Sequence, residues 1–237
     1  MANPGMVRMA STLRVPATAH AARYVRKRGI NSPVTVSVVL AHPDSGSFNH
    51  AIASACVAVL QANGHKVNFH DLYAEQFDCV LPFGEFPKDV TLPPDIEKHC
   101  SEISTASGIV IIHPNWWGQP PAILKGWVDR VIRPGVAYEF IEGDQGEGVP
   151  RGLLKARSAT VFNTSNTNAE REQSVFGDPL ELIWKNCIFD LCGVSDFYRR
   201  TFGVVVTSTE TERKAWLAEI SCIIAMRYPK VSHNQAL

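Results

Sequence analysis

The junction between Val34–Leu40 and His42-Pro43-Asp44-Ser45-Gly46-Ser47-Phe48-Asn49 constrains this chain more than any other feature. A β-rich apolar run stops, a short polar loop intervenes, and Phe48, Ile52, Ala55, Cys56, Val59 and Leu60 then recur at helical spacing until Gly64. A strand that feeds a polar loop into a helix N-terminus builds an anion site. The first helical N–H groups lack intrahelical acceptors and lie at the positive end of the macrodipole. Ser45, Gly46 and Ser47 add hydroxyls and close backbone approach, and Ser47 is also suited to cap the helix.

The rest of the chain repeats the alternation. Strands are predicted at Val34–Leu40, Lys66–His70, Gly108–His113, Ser158–Asn163 and Thr201–Val206, with helices near 48–63, 95–106, 121–133, 179–192 and 209–227. Helices between buried strands imply right-handed crossovers and a parallel sheet covered on both faces, a doubly wound α/β architecture. Asp178-Pro179-Leu180-Glu181 reads as a capped helix start with Gly193 past its end, and Thr207-x-x-Glu210 as a capping box. Phe77–Pro94, with Pro82, Pro87, Pro93 and Pro94, reads as an ordered surface excursion, and Gly143-x-x-Gly146-x-Gly148 as a loop.

Composition narrows the function classes. Lys plus Arg equal Asp plus Glu at 23 each, which argues against a nucleic-acid binder working by bulk charge. No apolar run reaches the roughly 18–20 residues of a membrane span. Six scattered cysteines, Cys56, Cys79, Cys100, Cys187, Cys192 and Cys222, show no CxxC pair or zinc-ligand spacing, so reduced and mostly buried thiols and no metal are expected. Residues 1–33 contain Arg8, Arg14, Arg23, Arg26, Lys27 and Arg28 but no acid. They are expected to be a disordered basic extension of a cytoplasmic protein, with a mitochondrial transit peptide as the alternative. Residues 34–229 form the domain and 230–237 a tail.

Ligands of an open doubly wound sheet gather at the carboxyl ends of its strands. Three segments are predicted to meet there: His42–Asn49, then His113-Pro114-Asn115-Trp116-Trp117-Gly118-Gln119-Pro120-Pro121, then Asn163-Thr164-Ser165-Asn166-Thr167. Adjacent tryptophans in a solvent-facing loop expose large apolar surfaces, which either a flat conjugated ligand or a subunit interface would cover.

Those residues carry a family resemblance. His42-Pro43-x-x-x-Ser47-Phe48-Asn49, Asp71-Leu72-Tyr73, and Pro114-x-Trp116-Trp117-Gly118-x-Pro120-Pro121-Ala122-Ile123-Leu124-Lys125-Gly126-Trp127 together resemble the NAD(P)H quinone oxidoreductases of the flavodoxin-like class. The resemblance spans about residues 34–206. It implies a five-stranded parallel sheet in order 2-1-3-4-5, bound FAD or FMN, NAD(P)H as co-substrate, a quinone or related acceptor, and a homodimer with sites at its interface. By position it assigns His42, Ser45, Ser47, Phe48 and Asn49 to the flavin phosphate and ribityl chain. Pro114, Asn115, Trp116 and Trp117 would flank the ring, Thr164, Ser165, Asn166 and Thr167 its polar edge, and Tyr138 and Phe140 would close the substrate pocket. The animal enzymes carry a Tyr and a His beyond the fourth strand, where this chain has Asn168-Ala169-Glu170-Arg171-Glu172 and Phe176. That departure points to a bacterial-type branch. Arg171 is then a candidate to stabilise the reduced flavin, or simply a partner of Glu170 or Glu172. A flavin-binding regulatory subunit of a membrane transport system and a flavodoxin-type electron carrier remain the alternatives.

Overall fold

The computed structural model describes residues 32–141 and 150–231. The expectations for residues 1–31, for the Gly143–Gly148 loop and for the tail beyond 231 lie outside these. Five parallel strands, β1 (Thr35–Leu40), β2 (Lys66–Asp71), β3 (Gly108–Pro114), β6 (Ser158–Ser165) and β7 (Phe197–Gly203), form one sheet in the order β2-β1-β3-β6-β7. Counting only these strands, that is the expected 2-1-3-4-5, with the strand order reversing between β1 and β3.

Period-two alternation sorts the apolar strand residues onto two faces. Val36, Val38, Leu40, Val110 and Ile112 pack with Ile52, Leu60, Ile220 and Ile224 of helices α1 (Phe48–Ala62) and α6 (Glu210–Arg227). Val39, Ile109, Ile111 and Val161 pack on the other face with Ile96 and Ile103 of α2 (Pro94–Thr105) and Leu124 and Trp127 of α3 (Ala122–Val131). Burial on both faces is why the inner strands read as continuous apolar runs.

The excursion over 77–94 is held by charge. Arg130 of α3 forms a fork onto Glu85, Nε to Oε2 at 2.9 Å and Nη2 to Oε1 at 2.5 Å, with both side chains buried. Arg133 donates to the Glu85 carbonyl at 2.7 Å. Gly126 is required beneath it, because a Cβ there would stand 2.1 Å from the Cys79 carbonyl oxygen.

Several expectations are corrected. The last strand covers Phe197–Gly203 rather than Thr201–Val206. Arg199 and Arg200 disguise it, and an edge strand tolerates them because each has carboxylate partners: Asp178 and Glu181 for Arg199, Glu219 for Arg200. The helix expected over 179–192 is α-helical only at α5 (Pro179–Glu181), then π-helical through Leu182–Asp190. Asp178 makes no side-chain cap: its backbone is left-handed at φ 48°, and its Oδ2 accepts from Arg199 at 2.7 Å. The final capping box is Thr209 with Glu212, not Thr207 with Glu210. Helix α4 (Ala169–Phe176), capped by Asn168, and the small hairpin β4 (Tyr138–Phe140) with β5 (Pro150–Gly152) are additional elements. Cys56, Cys100 and Cys192 are buried, whereas Cys187 and Cys222 are exposed, so burial is less general than expected.

Candidate functional site

The loop after β1 is organised by its own polar side chains. Asp44 Oδ1 accepts from the Gly46 N–H at 2.8 Å, and the Asp44 N–H donates to His42 Nδ1 at 3.1 Å. Burial lowers the His42 pKa, partly opposed by the Asp44 carbonyl oxygen, 3.3 Å from Nδ1, which would accept from the protonated ring. Ser47 caps α1 as expected, its oxygen accepting from the His50 N–H. The Ser47 hydroxyl also lies 3.0 Å from His50 Nδ1, and His50 Nε2 lies 2.9 Å from Asp71 Oδ2. With the carboxylate taking the Nε2 hydrogen, Nδ1 accepts from the hydroxyl. His50, unremarked in the sequence pattern, thus anchors the loop to the end of β2. The N–H groups of Ser45, Phe48 and Asn49 have no acceptor among the described residues, which suits this helix start to an anion.

The three predicted segments are stitched together. Asn49 Nδ2 donates to Thr164 Oγ1 at 2.9 Å, and the Asn115 N–H to the Thr164 carbonyl at 2.7 Å. The Trp116 ring lies 6.1 Å from that of His42. Phe48 points elsewhere, packing against Phe202 and Trp216 in the α1/α6 core, so only its backbone is available to the loop. Ser165 Oγ accepts from the Thr167 N–H at 3.0 Å, and Asn166 Oδ1 from the Val206 N–H at 3.0 Å. Those two side chains shape the turn.

Trp116–Gln119 is a tight turn closed by mutual backbone bonds between its end residues, with φ positive at both Trp117 (57°) and Gly118 (70°). Asn115 Oδ1 accepts from the Gly118 N–H at 3.0 Å and holds the turn's far side. Gly118 has no substitute here: a Cβ would meet Pro179 Cγ at 2.8 Å. The turn leaves Trp117 wholly exposed and Trp116 at 40 %. Behind it, Trp184 and Asn163 donate to Nε2 of the buried His113 at 2.8 and 2.9 Å, and His113 Nδ1 donates to the Pro114 carbonyl at 2.8 Å. Burial pushes the His113 pKa down to about 3, which keeps the imidazole a neutral acceptor. Arg199 continues the chain by donating to Asn163 Oδ1 at 2.7 Å.

A groove of about 490 Å³ opens beside the turn, lined by Asn115, Trp117, Gly118, Thr167, Glu172, Phe176 and Pro179. Three of its residues, Asn115, Trp117 and Thr167, were expected. Glu172 and Phe176 come from α4, whose helical character the short polar stretch did not reveal; Asn168 three residues before Arg171 was the available signal. Arg171 forms no ion pair with Glu170 or Glu172; its guanidinium lies 5.6 Å from the Phe176 ring centroid, at the wall of the groove. Tyr138 and Phe140 are not among the lining residues. They sit in the small hairpin, their rings 5.6 Å apart.

Against the expectation of no metal, one cluster of ligand-type side chains exists among the described residues, His70, Glu75 and His99, with donor atoms within 4.8 Å of one another. Its hydrogen bonds describe a proton-bridged cluster. Trp127 donates to His99 Nδ1 at 3.1 Å, so the neutral ring carries its hydrogen on Nε2, facing Glu75 at 3.4 Å. His70 lies between Glu75 at 2.9 Å and Glu102 at 2.5 Å. A cation drawing on the His99 Nε2 lone pair would oppose the Trp127 N–H. Burial, followed by the nearby His70, pushes the His99 pKa down to about 3.

Comparison with known proteins places this geometry. A family model described as a flavodoxin-like fold matches residues 35–221. An uncharacterized NAD(P)H oxidoreductase of Haemophilus influenzae is 34% identical over 76% of this chain and 89% of its own length. The ribosyldihydronicotinamide dehydrogenase [quinone] of Mus musculus is 30% identical over 77% of this chain and 87% of its own. The solved NAD(P)H:quinone oxidoreductase of Methanothermobacter marburgensis superposes with a TM-score of 0.71 at 25% identity, covering 86% of this chain and 100% of that one.

Proposed function

Because the chain belongs to the flavodoxin-like fold family and is an oxidoreductase like its relatives, we propose that it uses NAD(P)H to reduce quinones or related acceptors through a flavin seated across the three loops. The observation that carries the reading is the wholly exposed Trp117 beside the groove, an apolar wall that a flat ring would cover. A bound flavin, FMN or FAD, supplies two-electron hydride chemistry at its ring.

The chain's own residues would bind and orient. The N–H groups of Ser45, Phe48 and Asn49 and the hydroxyl of Ser45 would hold a phosphate at the α1 N-terminus, with His42 closing the loop and Ser47, its hydroxyl engaged by His50, capping the helix beneath it. Asn49 Oδ1 is buried without a partner and is a ready acceptor for a hydroxyl of the sugar-like chain. Asn115, Trp116 and Trp117, positioned by Pro114 at the end of β3, would flank the ring. Thr164, Ser165, Asn166 and Thr167 would border its polar edge, Thr164 and Ser165 through their backbone. The β4–β5 hairpin, with Tyr138 half-buried and Phe140 exposed, would close the substrate pocket from a second copy in a homodimer. Among the described residues no helix is long and apolar enough to cross a membrane.

The test is a visible spectrum of the purified full chain, identification of the released cofactor, and anaerobic addition of NADPH or NADH followed by a quinone. Flavin absorption that bleaches with one nucleotide and returns with the quinone is expected. A protein that neither retains nor takes up flavin would overturn the reading.

A further inference from the structure

Glu172 is only 7 % exposed, yet it lines the groove together with Trp117, Phe176 and Pro179. Its Oε1 accepts from Asn115 Nδ2 at 2.9 Å, and no Lys, Arg or His nitrogen lies within 4.0 Å of the carboxylate among the described residues. Arg199 and Arg200 line an adjoining pocket with Glu172 but pair with other carboxylates, Arg199 with Asp178 and Glu181 and Arg200 with Glu219, while Arg171 rests on the Phe176 ring and forms no ion pair among the described residues. A buried carboxylate without a cation loses hydration that nothing positive replaces. The Asn115 amide and the first turn of α4 favour its negative charge but do not neutralise it. What remains is a carboxylate facing the open Trp117 ring across the groove, the Phe176 ring already carrying Arg171, and this pair attracts a cation through charge and through the indole face.

We propose that Glu172 makes this groove select electron acceptors bearing a positive charge, such as quinones with an ammonium arm, over acceptors bearing sulfonate or carboxylate. The inference rests on the reductase reading for the identity of the ligand, and concerns which acceptor binds over the flavin, in the part of the groove that Glu172 and Phe176 line. The overall reaction is unchanged: NAD(P)H gives up a hydride, one further proton comes from solvent, and the quinone leaves as the hydroquinone.

The test compares two naphthoquinones alike except for a trimethylammonium or a sulfonate arm, reduced by the flavin-loaded full chain at low salt. In the unaltered protein kcat/KM for the cationic quinone exceeds that for the anionic one by about tenfold or more, equivalent to about 1.4 kcal/mol. Glu172→Gln keeps an oxygen for Asn115 and removes the charge, so the ratio falls toward one; a general loss of activity cancels in the ratio. A ratio near one in the unaltered protein, or one unchanged by Glu172→Gln, overturns the proposal. Equilibrium dialysis with a non-reducible trimethylammonium naphthalene separates the two readings. If neither quinone is reduced, the reductase reading fails, while binding weakened about tenfold by Glu172→Gln still upholds the role of the carboxylate. Binding unaffected by the substitution overturns it.

Discussion

Replacing Trp117 by Ala isolates the wall from the scaffold. The side chain is wholly exposed, so its removal leaves no cavity and uncovers no core, and Ala retains the Cβ at the same positive φ of 57°. Folding stability should therefore change by no more than about 0.5 kcal/mol, as for surface positions generally. Flavin affinity should respond very differently. A buried aromatic side chain covers about 150–250 Å², so one indole face against a ring covers about 100 Å². At about 25 cal/mol per Å² this is about 2.5 kcal/mol, or roughly 70-fold in Kd. Urea unfolding of the flavin-free protein and titration of FMN and FAD by flavin fluorescence measure the two quantities side by side. A Kd unchanged within threefold, with stability intact, would refute the placement of a ring against Trp117. A large stability loss would refute the claim that the Trp117 side chain carries no packing load.

Two further outcomes follow from the buried ionisable groups. Glu85→Ala leaves the buried Arg130 guanidinium with only the exposed Asp78 carboxylate, 3.4 Å away, and should lower stability by about 3 kcal/mol, with residues 77–94 becoming the first site of proteolysis; an unchanged urea midpoint would refute the clamp. His99 and His113, both pushed down to about 3 by burial, bind protons more readily in the unfolded chain than in the folded one. Their contribution to stability is thus fully present above an ordinary histidine pKa of about 6.5 and lost as pH falls toward 3, at up to about 1.4 kcal/mol per pH unit for each. Urea midpoints that stay level from pH 7 to pH 4 would contradict the neutral buried imidazoles.

The sheet and the three converging loops were legible in the chain because they rest on local chemistry: apolar runs, strand-to-helix junctions, and a Pro- and Gly-framed tryptophan pair. The turn at Trp116–Gln119 needed Gly118, and the sequence supplied it where the backbone is left-handed and pressed against Pro179. Elements whose chemistry is completed by distant partners were not legible. The edge strand β7 looks too charged until Arg199 meets Asp178 and Glu181 and Arg200 meets Glu219. Asp178 looks like a helix cap until Arg199 claims it. In α4, two acidic residues flank Arg171 in sequence and suggest a solvated face, but Glu172 turns into the groove and bonds Asn115, 57 positions away. The sequence by itself thus determined the succession of strands and helices, the two buried faces and the helix start beside Ser47, since spacing and capping act between near neighbours; the order of the strands in the sheet came only with the family resemblance. Only the tertiary structure decided which charges are paired, which carboxylate is left without a cation, and which indole stands in solvent, because those depend on contacts between segments that are far apart along the chain.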